Sequence, residues 1–118
     1  MTVTRINPAL PVTTSSTLTS TTCTFQGSGY NWCRRYGNVV QFYIYVKTKQ
    51  ATTGWSTALA VLPSGYRPSA YTLLSFALGH QGSVVGTFLG HVSTGGEVVL
   101  GTNLSSGVTV QISGMFII

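Results

Sequence analysis

Apolar and polar residues alternate with a period of two along much of this chain, and that pattern predicts strands. The clearest run is Val39 to Thr48. Its even positions, Val40, Phe42, Ile44 and Val46, form one apolar face. Its odd positions, Val39, Gln41, Tyr43, Tyr45 and Lys47, form the other. Two tyrosines beside Gln and Lys predict that this second face is partly covered, as at a subunit interface. Val108 to Ile118 alternates through Val108, Val110 and Ile112, and Gly114 is expected to mark a bulge. The run ends in Phe116-Ile117-Ile118, apolar enough to be packed inside.

Shorter runs cover Cys23 to Gln26, Tyr30 to Arg35, Thr57 to Leu62, Tyr71 to Leu78, Val84 to Val92 and Glu97 to Gly101. Turn residues separate them: Gly27-Ser28-Gly29, Gln50 to Gly54, Gly79-His80-Gln81-Gly82-Ser83, Ser93-Thr94-Gly95-Gly96 and Asn103 to Gly107. Ser93 to Gly96 is a strong hairpin signal. Seven or eight short strands with regular turns and no helical period predict an all-β fold, an antiparallel β-sandwich. Met1 to Val12, with Pro8 and Pro11, reads as an extended arm. Thr13 to Thr22 is almost all Ser and Thr, apart from Leu18, and reads as an extended edge segment or a connector. The expected division is an arm or linker over 1–22 and a head domain over 23–118.

Leu62-Pro63-Ser64-Gly65-Tyr66-Arg67-Pro68 stands between two strands as a stiff corner. Pro63 has no N–H for a sheet, so the preceding strand must end there. With Leu62 first in the turn, Pro63 and Gly65 take the second and fourth positions that type I prefers. Arg67 precedes Pro68 and is pushed into an extended conformation. Tyr66 and Arg67 have side chains long enough to cross the sheet edge. The corner reads as architectural, because its Pro and Gly positions already have turn explanations.

This corner resembles a segment of the C-terminal head domains of phage tail-fibre and baseplate receptor-binding proteins. There it follows a piece like Arg35-Tyr36-Gly37-Asn38-Val39-Val40. It precedes strands like Gly95-Gly96-Glu97-Val98-Val99-Leu100 and Val108-Thr109-Val110-Gln111-Ile112. The resemblance spans about Cys33 to Ile118. It implies a trimeric, jelly-roll-like β-sandwich on the virion that touches the host surface, usually its carbohydrate. It does not supply binding residues.

The chain has 118 residues, enough for one domain with a real core. Only 6% are charged while 43% are hydrophobic, against about 25% charged in typical soluble domains. So few charges suit an oligomer that hides much of its surface, and a homotrimer is expected. Six Lys or Arg stand against one acidic side chain, Glu97, for a net charge of +5. These cations are few and scattered and no recognition helix is visible, so nucleic acid is not the expected partner. A phosphate-bearing cell-wall saccharide suits a modest positive field better. No stretch approaches the roughly 18 apolar residues of a membrane span. Met1 to Leu10 lacks the apolar core of a signal peptide, so synthesis in a host cytoplasm is expected.

Catalysis is not expected. Glycoside hydrolysis normally uses two carboxylates, and this chain offers Glu97 and its terminal carboxyl. A Ser-His-acid triad would need Glu97 with His80 or His91, and no nucleophile elbow accompanies them. The Gly-rich pieces lack a phosphate-loop Lys. No cofactor is expected. His80 and His91 read as surface residues, not metal ligands. A hairpin centred on Ser28 would place Cys23 opposite Cys33, which permits a disulfide without establishing one. Reduced buried thiols are the expectation for a protein made in a cytoplasm.

Sugar recognition rests on other residues. Such sites set flat aromatic rings against sugar faces, with polar groups for the hydroxyls. Tyr30, Trp32 and Arg34 occupy one hairpin, Trp55 a loop exit, and His80 and Gln81 another loop. These six are the candidate carbohydrate site, although Trp32 and Trp55 can equally be read as core plugs. The expected function is a non-catalytic receptor-binding head. The alternatives are a structural baseplate or decoration protein, which would work beside other phage tail proteins, and a free carbohydrate-binding module.

Overall fold

The computed structural model of the chain describes residues 13–81 and 84–118, with side chains described for 13–76 and 88–118. These residues form nine strands: β1 Thr13–Thr17, β2 Cys23–Phe25, β3 Trp32–Tyr36, β4 Val39–Thr48, β5 Ala58–Val61, β6 Thr72–Gln81, β7 Val84–Val92, β8 Glu97–Leu100 and β9 Thr109–Ile117. All pairings are antiparallel. One ladder runs β1-β3-β4-β9-β6-β7-β8-β5, and β2 joins the same edge of β4 beyond the end of β3. The ladder folds over as two packed sheets, the coarse architecture the sequence predicts. β6 pairs with β7 from Thr72 to Gln81 but with β9 only from Ala77 to His80. Both ladders are irregular after Leu78, as expected where a strand passes from one sheet to the next.

The core follows from the period-two pattern. Val40, Phe42, Ile44 and Val46 of β4 are fully buried. They pack with Leu59 and Leu62, Phe76, Val92, Val98 and Leu100, and with Val110, Ile112 and Phe116 of β9. Phe42 and Phe76 meet edge to face at 5.7 Å between ring centres. Gly114 makes room for them. Its register with Phe42 is regular, so it marks no bulge. A Cβ there would stand 2.5 Å from Phe42 Cζ. Of the apolar end, Phe116 is buried but Ile117 is exposed.

The Ser/Thr run is part of the sandwich, so the sheet begins ten residues before the expected boundary at Cys23. Residues 1–12 of the arm lie outside the described part. β1 pairs with β3, and Leu18 then turns into the core. Thr19 and Val61 exchange backbone hydrogen bonds of 3.2 and 2.8 Å. The hydroxyls of Ser20 and Thr22 donate to the carbonyls of Leu59 and Ala58. Small hydroxyl side chains thus satisfy the free edge of β5, which would otherwise be open to pairing. No apolar face was needed for that task.

Cys23 and Cys33 are both buried and free. They do not face each other. β2 and β3 pair with different parts of β4, which puts Cys23 opposite Thr48 and Cys33 opposite Phe42. Six residues of strand separate those positions, about 20 Å, well beyond disulfide reach. Burial pushes the Cys33 thiol up to about 11, against a weaker opposing contribution from the Ser16 backbone. Burial likewise raises Cys23.

The corner turns one residue later than type I geometry requires. Tyr66 N–H donates to Pro63 O, so Ser64 and Gly65 are the central residues. Gly65 has φ 91°, the left-handed value that the third position of a type II turn demands. Three of the four pieces that carry the resemblance, Leu62 to Pro68, Arg35 to Val40 and Gly95 to Leu100, meet at this corner. Leu62 N–H donates to Gly96 O at 2.8 Å. Arg67 Nε donates to Leu62 O, also at 2.8 Å. Arg35 donates from Nη1 to Gly65 O and from Nε to Gly37 O. Ile118 N–H donates to Asn38 O.

Candidate functional site

The loop from Gln26 to Asn31 fills the place where β3 leaves β4 and β2 takes over. Asn31 holds it. Its backbone lies in the left-handed region at φ 64°, which Asn tolerates better than most residues. Its Oδ1 accepts from Tyr45 N–H at 2.8 Å, and its Nδ2 donates to Gln26 O. Gln26 N–H in turn donates to Tyr45 O. The amide thus stands in for a strand backbone and satisfies groups that the gap would leave unpaired.

The loop sets Tyr30 on the outer face of β4. Tyr30 lies 5.4 Å from Tyr43 and meets Tyr45 edge-on at 5.2 Å. Trp32 stacks on Tyr43 at 6.0 Å. Arg34 Cζ sits 4.3 Å over the Trp32 ring, a cation–π contact that fixes a charged group at the surface. Tyr30 and Trp32 of the same chain thus cover part of Tyr43 and Tyr45. β1 forms the opposite wall, because its register sets Thr17 beside Trp32 and Ser15 beside Arg34. An open groove of about 440 Å³ is lined by Ser15 to Thr17 of β1, by Gly29 to Trp32 and by Arg34.

The groove joins three of the six expected residues: Tyr30, Trp32 and Arg34. Trp32 is half-buried on an outer face, not a core plug. Trp55 lies in a separate cluster. It is exposed, sits at φ 64° in the turn before β5, and stacks on His91 at 6.0 Å. Tyr71 also packs on His91, tilted, at 4.4 Å. His91 is thus buried, not the surface residue expected, and its Nδ1 has no hydrogen-bond partner among the described residues. His80 and Gln81 belong to β6, not to a loop; residues 82 and 83 lie outside the described part. His80 pairs with Gln111, which pairs with Tyr45, two strand spacings or roughly 10 Å away.

Sequence reasoning missed the β1 hydroxyls and the structural role of Asn31. Three positions with positive φ in six residues, Gly27, Gly29 and Asn31, make a shaped loop instead of a short turn. The Gly-Ser-Gly-Tyr-Asn run was the available signal. The groove offers ring faces, hydroxyl groups and one fixed guanidinium, the set that carbohydrate recognition uses.

No protein-family model matches the chain, and no curated protein matches it.

Proposed function

We propose that this chain is a phage receptor-binding head that grips a host cell-wall saccharide without acting on it. On this reading it is a jelly-roll-like head that works as a homotrimer at the tail tip, fibre or baseplate of a virion. The observation that carries the proposal is the Tyr30–Trp32–Arg34 assembly over its tyrosine bed, facing the β1 hydroxyls across an open groove. A sugar ring would stack on the exposed ring of Tyr30, with Trp32 holding Arg34 beside it. Ser15 and Thr17 would bond its hydroxyls. Arg34 has a planar fork suited to two oxygens of an attached phosphate. Weak single sites would gain from several copies on one virion.

The test is titration of purified host-wall saccharide into the parent protein and into folded Trp32→Ala and Tyr30→Ala variants. Binding by the parent that falls about 10-fold or more in both variants supports the groove. Equal binding in all three moves the site elsewhere.

A second reading has its own support. Three of the segments that resemble the phage heads meet at the corner, where Arg35 and Arg67 donate to backbone carbonyls. A shared scaffold without a shared ligand is what a structural baseplate or decoration protein would keep. A parent protein that binds no host glycan would favour it.

A further inference from the structure

Trp55 carries a backbone cost that packing alone does not account for. Its φ is 64°, a left-handed value that is a genuine outlier for so bulky a residue. Asn31, the other non-glycine with positive φ among the described residues, offsets its strain with two amide hydrogen bonds. The Trp55 indole has no such bond among the described residues, and 47% of the residue stays exposed. The turn nevertheless fixes it. Trp55 N–H donates to Leu100 O at 2.8 Å, and Gly54 N–H donates to Asn103 Oδ1 at 2.7 Å. The ring lies against Gly101, where a Cβ would stand 2.6 Å from Trp55 Cε2. Strain that a well-bonded turn maintains is characteristic of functional positions. A ring held only for packing would be turned inward, and this one keeps half of itself in water.

Tyr71 adds a second ring. It is 57% exposed and packs on the same imidazole as Trp55. His91 itself is only 7% exposed, and its Nδ1 has no partner among the described residues. A buried polar atom left unpaired is destabilising, and native structures keep few of them. Two half-exposed aromatic rings thus pack on a buried nitrogen that a ligand hydroxyl can pair.

We propose that Trp55 and Tyr71 form a second saccharide site, separate from the groove and built for an uncharged sugar ring. The inference rests on the reading of the chain as a glycan-binding head, but on none of the groove residues. The exposed ring faces supply the stacking surface. Tyr71 stands just before β6, where its ring can swing off His91 and admit a sugar hydroxyl to Nδ1. Charge sets the ligand class. β6 and β7 carry no Lys, Arg, Asp or Glu. His91 pairs with Val99, and Glu97 lies two residues along β8 on the same face, about 7 Å away. A carboxylate at that range disfavours a phosphate, whereas Arg34 favours one in the groove. The two sites thus sort one polymer, the groove taking its phosphate-bearing part and the Trp55 site a neutral ring.

The experiment follows the fluorescence of Trp55. The chain has two Trp, so Trp32→Phe leaves Trp55 as its single indole. Purified host-wall saccharide, intact and stripped of phosphate, is titrated into that variant. Emission should change saturably with both preparations, and adding Tyr71→Ala should weaken the response about 10-fold or more. His91→Phe keeps a flat ring and removes the unpaired nitrogen. It should melt at or above the parent temperature while binding both preparations more weakly at Trp55, a pairing that a merely structural His91 would not give. Should Tyr71→Ala fail to fold, His91→Phe carries the test. Emission that ignores saccharide while Tyr30→Ala still weakens binding by the parent overturns this inference and leaves the groove standing. Emission that responds while Tyr30→Ala and Trp32→Ala bind like the parent supports it and removes the groove. A response confined to phosphate-bearing material, or one that survives the folded variants, overturns it. A chain that binds neither preparation overturns both readings.

Discussion

Arg34 and Arg35 are neighbours in sequence but serve different regions. Arg35 faces the corner, and its guanidinium donates to the carbonyls of Gly37 and Gly65. Arg67 does the same for Leu62. Arg34 points to the other face, lies over Trp32, and makes no hydrogen bond among the described residues. The corner thus uses its polar groups internally, where losing one leaves carbonyls unsatisfied. The groove keeps its rings, hydroxyls and guanidinium unengaged by backbone. A region whose donors are committed contributes to stability, and one whose donors are free is available for binding. The alternation of the strand assigns the two arginines to these roles.

That contrast can be broken first at the corner. Gly96 sits at φ 83°, and a Cβ there would press on Leu62 O and on Arg67, 2.9 Å from Nε. Gly96→Val should cost about 3–5 kcal/mol by strain and lost corner bonds. Urea unfolding measures it, and a loss below about 1 kcal/mol would mean that the corner yields easily.

The next effect is alkaline. Cys33 is raised from 9.0 to about 11. A thiol with a raised folded value favours the folded state fully below pH 9, and that contribution fades as pH climbs toward 11. Stability should fall by about 2–3 kcal/mol across that window, and Cys33→Ala should flatten the profile. The thiols also report opening: corner variants should speed their labelling at pH 8, and groove variants should not.

Asn31→Ala tests the boundary between the regions. It removes the acceptor for Tyr45 N–H and should cost about 1–3 kcal/mol, while also releasing Tyr30 from its place. Both stability and saccharide binding should drop, unlike any corner variant. Trp32→Ala should be the mildest for the fold, with a melting midpoint within a few degrees of the parent, because its ring lies on an outer face. Arg34→Gln should be smaller still for stability and should weaken binding of a phosphate-bearing glycan more than of a neutral one.

Sequence alone determined the strand of Val39 to Thr48 and its buried face, because a period of two is enforced by the backbone itself. It also determined the hairpin at Ser93 to Gly96 and the end of a strand before Pro63, where local chemistry permits little else. The same period set Trp32 and Arg34 on one face of β3, while the loop held by Asn31 brought Tyr30 beside them. Tertiary structure decided the rest. Cys23 and Cys33 were separated because β2 and β3 share β4 instead of each other. The Ser/Thr run gained its place from the unpaired edge of β5, which no local pattern announces. Trp55 and His91 joined a second cluster, and Gly114 became space for two rings instead of a bulge. Such outcomes depend on which strands become neighbours, and pairing partners lie tens of residues apart along the chain.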